Sequence, residues 1–175
     1  MFFPLVMEFI LIIFSAVFLI FLIYVVIIGD LKGAPYVPSR RDKILKMMEM
    51  AELRAGEKAV DLGSGKGDLL IASARRGCRA EGADINPFLV WYTRFRVYKS
   101  GLKDLVLVHR RDFMELPLQE TDVVFLYLLP KSMKKLKEKL KSELKPGARI
   151  ISNTFPLSGW TPEKIDDKVY LYRIK

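Results

Sequence analysis

The chain has one cysteine and one histidine in 175 residues. A lone Cys78 excludes an intrachain disulfide and a metal cluster built from thiolates, and its expected place is a small, partly buried thiol. A lone His109 excludes His-pair metal sites and most Ser-His-Asp arrangements. No internal repeat is present. Charge is missing from one end. No Lys or Arg precedes Lys32, and Glu8 is the one acid before Asp30. All 29 basic residues and 19 of the 20 acids follow Gly29, so residues 30–175 carry a net charge of +10. The first 28 residues are apolar except for Pro4, Glu8 and Ser15. This distribution excludes a wholly soluble chain, a multi-span membrane protein and a disordered chain. It leaves an apolar leader on a basic globular domain.

From Phe9 to Gly29 there is no charge. As a helix these 21 residues extend about 31 Å, enough for the hydrocarbon core of a bilayer. A cleaved signal peptide needs a basic start, a shorter apolar core and a small-residue cleavage site, and a mitochondrial presequence is Arg-rich and amphipathic. Neither pattern is here, so an uncleaved single-pass anchor over residues 1–30 is expected. Lys32, Arg40, Arg41 and Lys43 follow the span, and the positive-inside rule then places the C-terminal domain in the cytoplasm.

Residues 31–38 hold two prolines and a glycine and read as a linker that cannot continue the helix. Residues 39–175 read as one domain. Ser39 with Asp42 forms a variant capping box for a helix to about Leu53, with Ile44, Leu45, Met48 and Ala51 on its buried face. Strands are expected at 58–62, 80–84, 104–109, 122–128 and 148–153, with helices at 68–76, 87–99 and 131–144 between them. Asn86 is a good N-cap with Pro87 at the first helical position. A closing hairpin is expected over Asp166-Asp167. Strands alternating with helices at this spacing give a Rossmann-like, doubly wound, mostly parallel α/β sheet.

The informative segment is Val60-Asp61-Leu62-Gly63-Ser64-Gly65-Lys66-Gly67-Asp68, which follows a strand and opens a helix. Such a loop lies at the carboxyl end of the strands, where ligands bind. It is not a P-loop: Val60 stands where the first glycine belongs, and Gly67 where the hydroxyl belongs. It is not a dinucleotide fingerprint either, because the spacing is G-x-G-x-G with Asp61 two residues ahead. An acid there repels a pyrophosphate and suits a ligand with a positive end. Asp84 ends the next strand, where acids bond ribose hydroxyls. A cation, a ribose and no phosphate describe S-adenosylmethionine.

The stretch Asp61–Gly67 resembles the first motif of class I S-adenosylmethionine-dependent methyltransferases, and Asp84 resembles their second. Asp112-Phe113 is similar to the acid-plus-apolar pair that holds the adenine. The resemblance implies cofactor contacts from Asp61, Gly63, Ser64, Gly65, Gly67, Asp84, Asn86, Asp112 and Phe113. A narrower likeness rests on Pro35-Tyr-Val-Pro-Ser39, on Asp84-Ile-Asn-Pro87, and on residues 139–152 and 155–162. These resemble a membrane-anchored protein-lysine methyltransferase family whose mitochondrial members modify the ATP synthase c subunit and the ADP/ATP carrier. The chain departs from that family in having Asp84 where a Glu is usual and Lys66 where an acid is frequent.

Methyl transfer to an amine needs position, alignment and a dry site more than a covalent catalyst. The amine must be neutral, which an apolar channel favours. The candidate channel is Tyr127, Leu128 and Pro130 after the fourth strand, with Tyr36 from the linker. Tyr127 is the candidate to touch the incoming amine, or else a packed strand residue. Phe88, Trp91, Tyr92, Phe95 and Tyr98 recur at helical spacing and are expected to pack on the sheet. Seven lysines crowd residues 131–145, a solvated face with pairs such as Lys134–Glu138, or a surface for anionic lipid. The anchor argues against nucleic acid as the partner of this charge. The expected activity is N-methylation of a lysine in a membrane protein. Methylation of a lipid headgroup or membrane-soluble small molecule, and a non-enzymatic tethered S-adenosylmethionine-binding protein, are the alternatives. No metal is expected.

Overall fold

The apolar leader forms one continuous helix, α1 (Phe2–Lys32), in a computed structural model that describes residues 2–32 and 37–175. Half of the expected linker, residues 33–36 with Tyr36 among them, lies outside the described residues. The chain divides into two units, Met1–Pro35 and Tyr36–Lys175. In the first, the window Val6–Ile23 is long and apolar enough to cross a membrane, and none of it is buried inside the protein.

The second unit opens with α2 (Arg41–Ala51) and continues as β1 (Lys58–Leu62), α3 (Asp68–Ala74), β2 (Arg79–Asp84), α4 (Pro87–Lys99) and β3 (Val106–Arg110). After a 3₁₀ turn at Phe113–Glu115 come β4 (Val123–Leu126), α5 (Pro130–Glu143), β5 (Arg149–Asn153), β6 (Lys164–Asp166) and β7 (Val169–Arg173). The seven strands form one sheet in the order β3-β2-β1-β4-β5-β7-β6. The first five run parallel, while β7 pairs antiparallel with both β5 and β6. This is the doubly wound, mostly parallel sheet that the strand–helix alternation predicts. Strand order reverses between β1 and β4, which pair with Leu62 opposite Leu126. The crevice above their carboxyl ends is where open α/β sheets bind ligands.

Both faces of the parallel strands are covered, which is why these strands read as near-continuous apolar runs. On one face Met133, Leu136 and Leu140 of α5 pack against Val60, Leu62, Val124, Leu126 and Ile150. The opposite face carries α2, α3 and α4 over Ala59, Ala80, Val106, Val108 and Phe125. Below the strands the Arg149 guanidinium, 7% exposed, donates to Glu57 at 2.6 Å and to the Glu52 carbonyl at 2.9 Å. The ends of α2 and β5 are thereby joined.

Several expectations differ from the structure in local detail. The N-cap of α2 is Arg40, with no side-chain cap, and Asp42 pairs with Arg40 at 3.2 Å instead of closing a box with Ser39. The buried face of α2 is Met47, Met48, Met50 and Ala51, and Leu45 is exposed. The hairpin turns one residue later than expected: Asp166 pairs with Val169, and Asp167 and Lys168 take positive φ of 47° and 59°. That pair matches the twist of a two-residue hairpin. On α5 the i,i+4 ion pair is Lys139–Glu143, at 2.6 Å.

Four of the five aromatic residues of α4 do not pack on the sheet, and Tyr92 is half-buried. Leu89, Val90, Thr93 and Val97 form its buried face. Phe88, Trp91, Phe95 and Tyr98 are exposed by 53%, 61%, 51% and 73%. Helical spacing alone does not say which of two apolar stripes faces the core. The smaller β-branched and aliphatic stripe fits the close approach of α4 to β2 and β3.

Candidate active site

The glycine loop lies between the end of β1 and the start of α3. Gly63, Gly65 and Gly67 have φ of 89°, 52° and 73°, the left-handed region that glycine enters at least cost. The loop is tied to the end of β2. The amides of Gly63 and Ser64 both donate to the Ala83 carbonyl at 3.0 Å, and Gly67 donates to the Ser64 carbonyl at 2.8 Å. Gly65 donates to Asp84 Oδ2 at 3.0 Å, and Asn86 donates its amide to Asp84 Oδ1 at 2.8 Å. A phosphate-binding loop offers free amides to an anion. Here four of them are already bonded within the protein, so the loop is not an anion cradle.

Asp61 is 6% exposed on β1. No hydrogen bond or cation holds it among the described residues, and burial pushes its carboxyl up to about 7, with the charges of Asp84 and Asp68 adding to the rise. Desolvation likewise raises Asp84, while the amides of Asn86 and Gly65 pull it back. Two acids close enough to disfavour each other's charge make a site that a cation relieves.

A cleft opens over Asp61 and the loop. Gly63, Ser64, Gly65, Lys66 and Asp68 form its floor, Tyr127 one side, and Val37, Ser39, Ile44 and Leu69 the rest. Tyr127 follows β4 directly, so the strand pairing brings it beside the loop that follows β1. Ser64 Oγ is buried without a hydrogen-bond partner among the described residues. It sits over Gly82, where an added Cβ would come within 2.8 Å of Ser64 Cβ and 2.7 Å of Leu70 Cδ1. Gly82 therefore lets β2 pass beneath the loop.

Asp84, Asn86, Asp112 and Phe113 are not in the lining of this cleft. Asn86 caps α4, its side chain accepting from Phe88 at 3.0 Å and Leu89 at 3.3 Å, beside Asp84. Asp112 is exposed after β3, and its Oδ1 accepts the Met114 amide at 2.9 Å. Phe113 is partly buried and packs on the α5 side of the core. Two of the channel residues lie elsewhere. Leu128 is a core residue that would be 3.2 Å from a Cβ on Gly63, and Pro130 is the exposed first residue of α5. Neither lines the cleft. Tyr36, the remaining channel residue, lies outside the described residues.

Two supports of the loop carry no signal in the sequence. Thr93, fully buried on α4, donates its hydroxyl to the Gly65 carbonyl at 2.7 Å. Arg96, one turn on, pairs with Asp68 at 2.8 Å and donates to the Lys66 carbonyl. A threonine and an arginine within an aromatic stripe read as spacing. Val37 and Ser39 belong to the Pro35–Ser39 likeness and Ile44 to the packed face of α2, but their place in the cleft lining comes only from the fold.

These features fit S-adenosylmethionine: Asp61 for a cationic end, the partnerless Ser64 hydroxyl, Asp84 for ribose hydroxyls, and no free anion cradle. Comparison with known proteins agrees. A family model described as the ANTKMT methyltransferase domain matches residues 61–164. A lysine N-methyltransferase of the ATP synthase c subunit, from Xenopus laevis, is 35% identical over 131 residues, covering 75% of this chain and 58% of that protein. This chain thus spans less than two thirds of that relative's length. A protein-lysine N-methyltransferase of Saccharolobus islandicus is 33% identical over 150 residues, covering 80% of this chain and 93% of that protein. Among solved structures, an RNA methyltransferase from Salinibacter ruber in complex with S-adenosyl-L-homocysteine superposes with a TM-score of 0.76 at 35% identity. The match covers 79% of this chain and 94% of that one. With the family model covering more than half of its length, the chain belongs to the ANTKMT methyltransferase-domain family.

Proposed function

We propose that the protein is an S-adenosylmethionine-dependent N-methyltransferase that modifies a lysine side chain of a membrane or membrane-associated protein. The observation that carries this reading is the buried Asp61, unpaired among the described residues, under a glycine loop four of whose amides are already bonded. That combination asks for a cation and refuses a phosphate. The two curated relatives described above carry lysine N-methyltransferase names.

Bound there, S-adenosylmethionine supplies a methyl group on a sulfonium. The lysine nitrogen would take that methyl with its lone pair, S-adenosylhomocysteine would leave, and the nitrogen's proton would pass to water. Asp61 would hold the amino end and Asp84 the ribose hydroxyls, and the family resemblance assigns the adenine to Asp112 with Phe113. Gly63, Ser64, Gly65 and Gly67 let the backbone come close, and Asn86 fixes Asp84 through its amide. Val37, Ile44 and Leu69 supply the apolar part of the lining, and an acceptor amine held against them would favour the neutral form whose lone pair attacks. Tyr127 presents its ring to the incoming amine.

The membrane enters through α1. We read it as a single-pass anchor with the domain on the cytoplasmic side. Confinement to a bilayer raises the effective concentration of membrane-embedded acceptors without any new contact.

Incubation of the full chain with tritiated S-adenosylmethionine and membranes, followed by separation of protein, lipid and RNA, tests the acceptor. Label in protein is expected. Label confined to lipid assigns the headgroup alternative. RNA as the sole acceptor, the class named for the Salinibacter relative, also overturns the lysine reading. Binding of the cofactor without any transfer leaves a tethered binding protein.

A further inference from the structure

The exposed aromatic face of α4 has no part in the cleft. Trp91 stacks on Phe95 with centroids 6.1 Å apart and planes at 11°, and Phe88 lies 6.1 Å from Trp91 on its other side. Tyr98 continues the row. From Asn86 to Lys103 the chain has no acid, but it has Arg94, Arg96, Lys99 and Lys103. Arg94 is bonded to the Val108 carbonyl and Arg96 to Asp68, while Lys99 and Lys103 make no ion pair among the described residues.

We infer that this face of α4 seats the domain in the headgroup layer of an anionic bilayer. Trp and Tyr, with an apolar ring and a polar tip, concentrate at membrane interfaces. An aromatic stripe beside lysines, with no acid, suits anionic headgroups. Four side chains of roughly 150–250 Å² each, about half exposed, offer some 400 Å², short of the roughly 800 Å² per partner of a stable dimer. The stripe begins two residues after Asn86, so the docked face would border the cofactor rim. It lies on the opposite face of the sheet from the lysine-rich α5, so the two cannot lie flat on one bilayer together. The inference deepens the membrane reading above and can fail apart from it.

Trp91 and Trp160 are the only tryptophans, and Trp160 packs on Tyr172 with centroids 6.2 Å apart. The full chain is reconstituted in vesicles of phosphatidylcholine and phosphatidylglycerol whose acyl chains are brominated near the glycerol, and its emission is compared with that in detergent micelles. Brominated lipid should quench about half of the emission, the share of one of two indoles, and Trp91→Phe should remove that share. Phe95→Ser combined with Tyr98→Ser should cut the quenching severalfold while calorimetric binding of S-adenosylmethionine stays unchanged. Equal access of iodide to Trp91 in vesicles and micelles overturns the inference. So does shielding of Trp91 in micelles that rises with protein concentration, which signals a second copy. Quenching that survives the Phe95/Tyr98 pair but is lost on replacing Lys134, Lys135 and Lys141 with Glu also overturns it. Lipid quenching of Trp91 in a protein that fails to bind the cofactor would sink the enzymatic reading and leave this one standing.

Discussion

The hydroxyl of Thr93 donates to the backbone carbonyl of Gly65 at 2.7 Å, so a helix that lies outside the glycine motif in sequence holds the centre of that loop in place. Gly67 depends on the same residue, because a Cβ there would fall 2.3 Å from Thr93 Cγ2. Loop and helix are matched surfaces.

Thr93→Val keeps the volume and removes the donor, leaving the Gly65 carbonyl without its bond. A buried unsatisfied carbonyl costs about 1–3 kcal/mol. Thermal denaturation should show that loss, and calorimetry should show weaker S-adenosylmethionine binding. Thr93→Ser should recover most of both. Equal affinity in Thr93→Val and the wild type would mean that the loop is fixed by its bonds to Ala83 and Asp84 alone.

Asp84 accepts two amides and also faces the expected ribose. Asp84→Ala removes every acceptor at that point, and Asp84→Asn leaves one oxygen. Charge-assisted bonds contribute about 1.5–3 kcal/mol each, so Asp84→Ala should weaken cofactor binding by roughly 10–100-fold or more, with Asp84→Asn between it and the wild type. Equilibrium dialysis with S-adenosylhomocysteine measures this. An unchanged affinity would remove Asp84 from the site.

Burial raises the Asp61 carboxyl from 3.8 to about 7. Between those values the folded protein keeps a proton that the unfolded chain has released. Stability therefore falls as pH rises through this window and levels off above about 7. Asp61→Asn should remove the slope and be more stable than the wild type above pH of about 7, as denaturant titration would show. The cofactor has the opposite demand, because its cationic end needs the ionised acid. Binding by the wild type should tighten from about pH 6 to 8 and release a proton near pH 6, read from calorimetry in buffers of different ionisation enthalpy. Asp61→Asn should lose both effects.

Gly82→Ala brings a methyl within 2.8 Å of Ser64 Cβ and 2.7 Å of Leu70 Cδ1. Leu70 is a buried residue and Ser64 belongs to the loop, so neither gives way freely. Overpacking of this kind costs about 1–3 kcal/mol. A lowered melting temperature together with weaker cofactor binding is expected, since the strain lies between the core and the loop.

Much of the architecture was legible because each element has its own local signal. Asn86 with Pro87 marks the start of α4 to the residue, and the apolar run 58–62 is β1 as it stands. Asp61 and Asp84 were legible because spacing along two strands fixes their place at the carboxyl edge of a parallel sheet. The signals that failed were those with two physical solutions. Ser39 and Asp42 could have closed a cap, but the side chain of Asp42 turned to Arg40. The aromatic stripe of α4 had the right period for a core face, and a second stripe of smaller residues took that place. Thr93 supports the glycine loop, and Val37 and Ile44 reach the cleft, only through tertiary contacts, which no local pattern carries.

The central claim is that this cleft methylates a lysine of a membrane protein. Mass spectrometry of membranes from cells with and without the gene tests it most directly. The account predicts a lysine on one or a few membrane proteins that carries added methyl mass with the gene, loses it without the gene, and regains it with the wild type but not with Asp84→Ala. Membrane proteins of identical mass in both strains, alongside a methylated lipid or small molecule that follows the gene, would contradict it.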